Sequence, residues 1–248
     1  MSERIDDLGI NNLKLIQNKN YFCFGTDSTL LANFVESNSS KNVILELCSG
    51  SGVIPIIMSA KKKYNKIIGV ELQQEMFELF EKNIKYNNLE NSIIPINENI
   101  KEYNNIKKII GKEVDIIVVN PPYKAFGTGI LHEKDVKNIA RHEIECTLED
   151  VFLSSSKLLK HKGKLYIVHK PERLADLLVI ARKYKFEPKK IQLVYPRIDL
   201  KPSIVLIEYI KDGGNELKIL EPLIEYNEKN EYTEQFLKIY GLGGNKID

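Results

Sequence analysis

Short runs of aliphatic and β-branched residues alternate along the chain with longer segments in which apolar residues recur every three or four positions. Apolar runs of four to eight residues are typical of buried strands, whereas the longer spacing indicates amphipathic helices. The predicted strands are, in chain order, NVILEL (42–47), KIIGVEL (66–72), SIIPIN (92–97), VDIIVVN (114–120), GKLYIVHK (163–170), KIQLVYP (190–196) and SIVLIEYIK (203–211).

Five helices are predicted between these strands. They are VIPIIMSAKK (53–62), QQEMFELFEKNIKYNNL (73–89), IKEYNNIKKII (100–110), TLEDVFLSSSKLLK (147–160) and PERLADLLVIARKY (171–184). Pro55 falls in a first helical turn, where proline is tolerated. Thr147 and Asp150 have the spacing of a capping box, which marks a helix start.

Strands that alternate with helices of ten or more residues imply a parallel sheet covered on both faces. The last two strands are joined by RIDLKP, which can support a hairpin. We therefore predict an α/β fold with a seven-stranded, mostly parallel sheet, the last strand antiparallel, and helices on both faces. Residues 1–40 are expected to form a cap on the core and residues 41–248 the main domain, within one globular unit.

The composition indicates a soluble protein that needs local charge clusters to bind nucleic acid. Basic and acidic residues nearly balance, giving a net charge of +2, so a nucleic-acid surface requires segregation of charge. No signal peptide is visible, and no apolar run approaches the roughly 20 residues of a spanning helix. Cys23, Cys48 and Cys146 form no CxxC pair, which favours reduced thiols in a cytoplasmic protein without a metal site.

The first predicted strand ends in ELCSGSGVIP, with glycines at positions 50 and 52. Open α/β sheets bind ligands at the carboxyl ends of their strands, and two closely spaced glycines allow a backbone loop to approach a ligand. A dinucleotide fingerprint would place a third glycine where Pro55 stands, which argues against NAD. Glu71 ends the second strand, where an acid can bind both hydroxyls of a ribose. A tight turn and a helix N-terminal acid are the simpler alternatives.

The fourth strand runs directly into Asn120, Pro121, Pro122 and Tyr123. In this order and spacing, ELCSGSGVIP, GVELQQEMFELFEKN and DIIVVNPPY resemble class I S-adenosylmethionine-dependent methyltransferases that methylate amino groups. FGTDSTLLANF, ARHEIECTLED, VHKPERLADLL and EPLIEYNEKNEYTEQFLKIYG extend the similarity, from about Ile10 to Gly241, to the bacterial tRNA(Val) adenine-N6-methyltransferases. The resemblance implies a Rossmann-like fold, S-adenosylmethionine as cofactor, and a tRNA adenosine just 3′ of the anticodon as substrate.

The resemblance also assigns the cofactor contacts. They fall on Thr26, Asp27, Glu46, Cys48, Gly50, Gly52, Glu71, Leu72, Asn99 and Asn120. The family usually has aspartate at Glu46, which should still bind the methionine amino group. It has a third glycine at Cys48, so we expect no positive φ there. It has an acid at Asn99, which should still offer the adenine amino group one acceptor.

The catalytic residues implied are Asn120, Pro121, Pro122 and Tyr123. An exocyclic adenine amine is a poor nucleophile because its lone pair is delocalised. The Asn120 amide oxygen and the Pro121 carbonyl can accept its two N–H groups, and the prolines fix both acceptors in advance. Tyr123 supplies a face for base stacking. The simpler alternative is a rigid turn with a surface tyrosine.

A tRNA substrate requires the target base to be splayed out of its stack. Candidate phosphate contacts are Arg141, Lys170, Arg173, Lys189, Lys190 and Arg197. The stretch from Lys124 to Glu145 is long for a loop and is a candidate lid, in which His142 is expected to be structural or solvated.

Alternative substrates are an adenine in ribosomal RNA or DNA, or a protein glutamine. The glutamine enzymes carry a helical domain before the first strand, where only about 40 residues stand here. A non-catalytic nucleotide-binding or RNA-binding module is the alternative from another class. No membrane association and no obligate protein partner is indicated.

Overall fold

The computed structural model of the chain describes residues 3–18, 25–61, 64–122 and 146–240. Its strands are β1 (Glu3–Asp7), β2 (Lys14–Asn18), β3 (Val43–Leu47), β4 (Lys66–Glu71), β5 (Ile93–Asn97), β6 (Val114–Val119), β7 (Leu159–His169), β8 (Phe186–Tyr195), β9 (Ile204–Lys211), β10 (Lys218–Ile219) and β11 (Leu223–Ile224). β1 and β2 form an antiparallel hairpin, and the other strands form one sheet.

The helices of the described residues are α1 (Thr26–Phe34), α2 (Val53–Ser59), α3 (Gln74–Tyr86), α4 (Tyr103–Ile110), α5 (Leu148–Leu158), α6 (Leu174–Lys183) and α7 (Glu234–Ile239), with a single 3₁₀ turn at Pro171–Arg173. The predicted capping box is confirmed, because the Thr147 hydroxyl accepts from the Asp150 N–H and the Asp150 carboxylate accepts from the Thr147 N–H. Within the described ranges, no helix has the length and apolar character needed to cross a bilayer.

The main path through the sheet is β10-β8-β9-β7-β6-β3-β4-β5, with β11 also paired to β8. Neighbours from β7 through β6, β3 and β4 to β5 pair in parallel, whereas β9 is antiparallel to both β7 and β8. The predicted α/β class and its antiparallel last main strand are confirmed. β9 is an interior strand, because the 196–203 connection returns the chain between β7 and β8.

Both faces of the sheet are buried, and successive strand residues supply the two faces in turn. Ile44 and Ile116 face the core under α1, α2 and α3, whereas Leu45 and Ile117 face the core under α4, α5 and α6. Side chains of a strand point alternately to opposite faces, so a continuous apolar run can fill both cores.

The structure also contains elements that the apolar pattern does not predict, because they are too short or too polar. They include the β1–β2 hairpin, the two-residue strands β10 and β11, and α7. α1 contributes Leu30, Leu31 and Ala32 to the same core as β3 and β6. The division into a cap at residues 1–40 and a domain at residues 41–248 stays a prediction.

Phe80 of α3 fixes the position of that helix against β4 and the loop after β3. Its ring fills the space beside Gly52 and Gly69, where an added Cβ would lie 1.9 Å and 2.4 Å from ring atoms. Asn83, one turn later, accepts from the Ile16 N–H at 2.7 Å and donates to the Ser51 carbonyl at 3.0 Å. One helix face therefore holds the glycine loop and the N-terminal hairpin together.

We predict that Gly69→Ala destabilises the protein by about 1–3 kcal/mol, the usual cost of overpacking a filled core. Gly69 has no positive φ, so the effect comes from side-chain contacts of the added Cβ, the nearest with the Phe80 ring at 2.4 Å and another with Ser49 Oγ at 2.7 Å. Phe80→Leu should recover part of the loss in a double-mutant cycle. Gly214→Ala is the matched control, because no described atom lies within 4 Å of its added Cβ. Equal urea midpoints for the variants at Gly69 and Gly214 would contradict this packing.

Candidate active site

The candidate site lies at the carboxyl edge of the parallel strands. Leu47 of β3 is in register with Val70 of β4 and with Val119 of β6. The residues that follow these three strands therefore emerge at one level. This arrangement brings together the loop after β3, Glu71 and Asn120, as the sequence predicts.

The loop after β3 is a tight turn that is tied to β4. The Ser49 N–H donates to the Val70 carbonyl at 3.0 Å, and the Gly52 N–H donates to the Ser49 carbonyl at 2.9 Å. Gly50 and Gly52 both adopt positive φ, 53° and 82°, a conformation that glycine reaches without steric cost. Gly52, the N-cap residue before α2, lies in the left-handed region, so its lack of a side chain suits the backbone geometry and leaves room for the Phe80 ring.

The expectation that Cys48 needs no positive φ is wrong. Cys48 has φ 62°, so the loop keeps the left-handed conformation although a side chain is present. Its Sγ lies 3.7 Å from Sγ of Cys146, which precedes α5. That hydrogen bond and burial raise the pKa of Cys48 well above its ordinary value, so Cys48 is a thiol near neutral pH. The left-handed φ of Cys48 therefore occurs together with a side-chain contact to a residue far away in the sequence.

Glu46 is a buried carboxyl group, with 2% of its surface exposed. Its Oε2 has no hydrogen-bond partner among the residues that the structure describes. Burial raises the pKa of Glu46 well above its ordinary value of 4.5; the adjacent hydroxyl of Ser49 opposes this shift, and Glu71 adds to it. A buried oxygen without a donor costs free energy, and a cationic or N–H-bearing ligand group would remove that cost.

Glu71 holds the loop by accepting backbone N–H groups. Oε2 accepts from Gly50 at 2.7 Å, and Oε1 accepts from Gln73 at 2.9 Å. A carboxylate oxygen has more than one lone pair, and its chemistry suits the hydroxyl donors of a ribose. Leu72, next along the chain, is 40% exposed.

Asn99 follows β5 at the same edge. Its Oδ1 accepts from the Lys101 N–H at 3.0 Å, forming a local turn. An adenine amino group would share that oxygen, which has a second lone pair. A cofactor contact of Asn99 stays a prediction.

Asn120 directly follows β6 and is half-buried, Pro121 is buried, and Pro122 is exposed. The Asn120 Nδ2 donates to Oγ of Ser28 at 3.1 Å. Ser28 lies in the first turn of α1, is 3% exposed, and was absent from the predicted site. Its neighbours Thr26 and Asp27, which were predicted, begin the same helix. Only the three-dimensional contact between α1 and the residue after β6 could identify Ser28.

Several predicted residues lie outside the described ranges. They are Tyr123, Arg141, His142 and the candidate lid from Lys124 to Glu145. Their roles stay predictions.

The predicted RNA contacts divide between two places. Lys170 and Arg173 follow β7, and Arg197 follows β8, all at the carboxyl edge. By contrast, Lys190 binds Glu36, which follows α1 at the end remote from Ser28, and Lys189 donates to carbonyls of the β9–β10 connection. RNA binding by all five residues stays a prediction.

A buried histidine was also missed at this edge. His169 ends β7 and its Nδ1 accepts from the Lys170 N–H at 2.8 Å. Burial lowers the pKa of His169 to about 4, so the ring is neutral near pH 7 and carries its proton on Nε2.

A mostly parallel sheet with a glycine loop after β3 and an acid at the end of β4 fits the Rossmann-like architecture of class I methyltransferases that the sequence predicts. The methyltransferase small domain family matches residues 12–178, which is more than half of the chain. The chain therefore belongs to the methyltransferase small domain family, and the resemblance and fold class predicted from the sequence are confirmed.

Curated relatives are similar over most of their length. A "tRNA1(Val) (adenine(37)-N6)-methyltransferase" of Parabacteroides distasonis is 27% identical over 87% of each chain. A protein of the same name from Haemophilus influenzae is 26% identical over 86% of this chain and 88% of its own. Another from Flavobacterium johnsoniae is 22% identical over 90% of this chain and 92% of its own.

Solved structures share the fold at low identity. A predicted O-methyltransferase from Agrobacterium tumefaciens superimposes with a TM-score of 0.70 at 18% identity, covering 89% of this chain and 98% of its own. Trm5 of Methanocaldococcus jannaschii, in complex with adenosine, gives 0.57 at 16% identity, covering 86% and 56%.

We predict that Glu46→Gln stabilises the protein increasingly as pH rises. Folding raises the pKa of this carboxyl group. Below the pKa of the unfolded chain the group is protonated in both states, and its ionisation does not affect stability. As pH rises above that value, ionisation increasingly favours the unfolded chain. Glutamine cannot ionise, so Glu46→Gln should raise the free energy of unfolding by about 1–3 kcal/mol at pH 8 and by little at pH 4.5. Each kcal/mol should raise the melting temperature by roughly 2–4 °C.

Thermal melts across this range provide the measurement, with exposed Glu90→Gln as the control. A stability difference between Glu46→Gln and the unchanged protein that is independent of pH would contradict the buried charge.

Proposed function

We propose that the chain is an S-adenosylmethionine-dependent methyltransferase that modifies N6 of an adenosine in tRNA. The observation that carries the proposal is Asn120, followed by two prolines, at the carboxyl end of β6 and level with the loop after β3. The names of the relatives support tRNA(Val) and adenine 37 as the finer assignment.

The residues present fit the cofactor. Glu46 offers a buried oxygen without a donor among the described residues, which suits the methionine amino group. Glu71 suits the ribose hydroxyls, and Asn99 offers one acceptor to the adenine amino group. Gly50, at φ 53°, carries no side chain, so a ligand can approach the loop backbone closely there. When bound, S-adenosylmethionine supplies an electrophilic methyl group on a sulfonium.

The chain would activate the substrate amine by accepting hydrogen bonds from its two N–H groups. Oδ1 of Asn120 and the carbonyl oxygen of Pro121 accept the two N–H groups, which favours a pyramidal nitrogen with a localised lone pair. Proline at 121 and 122 restricts the preceding residues to extended dihedrals, so the backbone that carries both acceptors is placed before the substrate arrives. Neither acceptor carries a formal charge, so neither competes for the sulfonium as an ion pair. Tyr123 is proposed as the stacking partner of the base.

The substrate is tested with labelled S-adenosylmethionine and total RNA from a strain that lacks the enzyme. Label in N6-methyladenosine at position 37 of tRNA(Val) is the expected result. Label in ribosomal RNA, or in protein glutamine when cell extract replaces RNA, would reassign the substrate. No transfer to any of these would contradict the proposal, provided that calorimetry shows cofactor binding.

We predict that Asn120→Ala lowers kcat by about 10²–10³ with a modest change in KM, because one preorganised transition-state hydrogen bond is lost. Asn120 is half-buried at a strand end, so stability and cofactor affinity should change little. Asn120→Asp keeps an acceptor of similar shape but adds charge near the sulfonium, so its rate should lie between those of the alanine variant and the unchanged enzyme.

Initial rates at saturating cofactor, with verified circular dichroism, provide the measurement. A near-normal rate for Asn120→Ala would show that the Asn-Pro-Pro segment is only a rigid turn.

A further inference from the structure

We infer that the turn between β8 and β9 is a contact surface for unpaired RNA, with Ile198 and Leu200 packing against bases next to the target adenosine. The inference rests on the proposed function, because it names a further contact for the RNA substrate. The turn, residues 196–203, is called the hairpin tip and joins the two strands at the carboxyl edge. Ile198 is 63% exposed and Leu200 is 47% exposed. Single exposed aliphatic residues are ordinary, whereas two on one turn beside a candidate site suit a binding surface.

Strand register places the hairpin tip above the level of Asn120. Counted through β7 and β9, the position of Asn120 is level with Gln192 of β8. β8 ends three residues later, at Tyr195, so it extends about 10 Å beyond Asn120. β9 and β8 lie two and three strands away from β6, which is about 10–14 Å. The hairpin tip therefore forms a wall beside Asn120, within the span of roughly three or four stacked nucleotides.

Hydrogen bonds hold the hairpin tip in one conformation. The Ser203 N–H donates to the Val194 carbonyl at 2.8 Å, and the Leu200 N–H donates to the Arg197 carbonyl at 3.1 Å. Across the turn, the Arg197 guanidinium pairs with Asp199 at 2.8 Å. A surface that is ordered in advance loses little conformational entropy when it binds a partner.

Charge favours an RNA strand on the side of the hairpin tip that faces β7 and Asn120. On the outer side, β11 pairs with β8, and the segment after it, residues 225–234, contains four glutamates and one lysine. These glutamates repel phosphates. On the inner side, Nζ of Lys170 donates to the Ser203 carbonyl at 3.4 Å, and Lys201 is exposed on the tip itself.

The splaying of the target base explains why apolar side chains belong at this place. An adenosine that leaves its stack exposes the faces of the neighbouring bases. Isoleucine and leucine are among the side chains that proteins insert beside unstacked bases, and covering apolar surface is favourable. Bases within a duplex keep their faces stacked. The hairpin tip should therefore prefer an unpaired loop to a duplex.

The binding test combines Ile198→Ser with Leu200→Ser and uses fluorescence anisotropy, which requires no methyl transfer. The double variant should bind a synthetic RNA stem–loop with an unpaired adenosine in its loop about 10-fold more weakly. The dependence of affinity on salt should not change, because no charge is removed. Affinity for a fully paired RNA of equal length should change by less than about 2-fold. Equal losses for the two RNAs, or no loss for the stem–loop, would overturn the inference.

Two further variants separate apolar contact from a change in fold. Ile198→Met with Leu200→Met keeps the apolar surface and should retain most of the affinity for the stem–loop. Ile109→Ser is the matched control, because Ile109 is 59% exposed near the end of α4, which leads back to the opposite edge of the sheet. Thermal melts verify each fold. A loss for Ile109→Ser equal to that of the double serine variant would overturn the inference.

Methyl transfer to the same stem–loop distinguishes this inference from the proposed function. Loop-selective binding that the serine variant loses, without methyl transfer by the unchanged protein, would refute the proposed function and support the contact. Methyl transfer at equal rate and equal affinity by both proteins would support the proposed function and refute the contact. Absence of binding of the unchanged protein to the stem–loop would also refute the contact.

Discussion

The hydrogen-bond ladder between β3, β4 and β6 fixes the level at which every polar group of the site can lie. Leu47, Val70 and Val119 are paired across it, and each is fully buried. A shift by one residue would move every side chain of a strand to the other face. The buried aliphatic residues on both faces therefore determine the register, and the register determines where Glu71 and Asn120 emerge.

The site contains a buried group that lowers the stability of the native state, and the strand pairing must offset that loss. Glu46 lies within β3 with a buried oxygen that lacks a donor in the described part of the chain. Glu71, across the loop, raises the pKa of Glu46 further. Phe80 and Asn83 offset the cost from outside the site, because one fills the space beside the glycines and the other binds the Ser51 carbonyl. An enzyme that binds a cationic cofactor would gain affinity from this arrangement at the expense of stability.

Most of the fold was predictable because its causes are local. Alternation of apolar runs and helical spacing marks β3 to β9, and the Thr147 capping box marks the start of α5 to the residue. Asn120 and Glu71 could be found because a polar residue that directly ends a buried strand of a parallel sheet has a known destination. The strands β10 and β11 have two residues each, too few for any periodicity.

The features that escaped prediction depend on contacts between distant parts of the chain. Cys48 keeps a positive φ although its side chain disfavours it, and its thiol meets Cys146, 98 residues away. Asn83 has ordinary helical surroundings in sequence, yet it is fully buried and binds both the hairpin and the glycine loop. No local pattern distinguishes these residues from exposed ones of the same type.

The segment before the sheet shows how far the active site extends beyond its motif. Asn-Pro-Pro places two acceptors but leaves the amide of Asn120 free to reverse, because proline constrains the backbone and not the side-chain end. Ser28, in a helix that precedes β3, meets the nitrogen end of that amide at 3.1 Å. Thr26 and Asp27 begin the same helix, so one element could serve the cofactor through its first residues and the acceptor through the next. The surroundings of the Asn120 amide therefore depend on where the fold places α1 beside the end of β6, and the sequence of either element alone does not contain that placement.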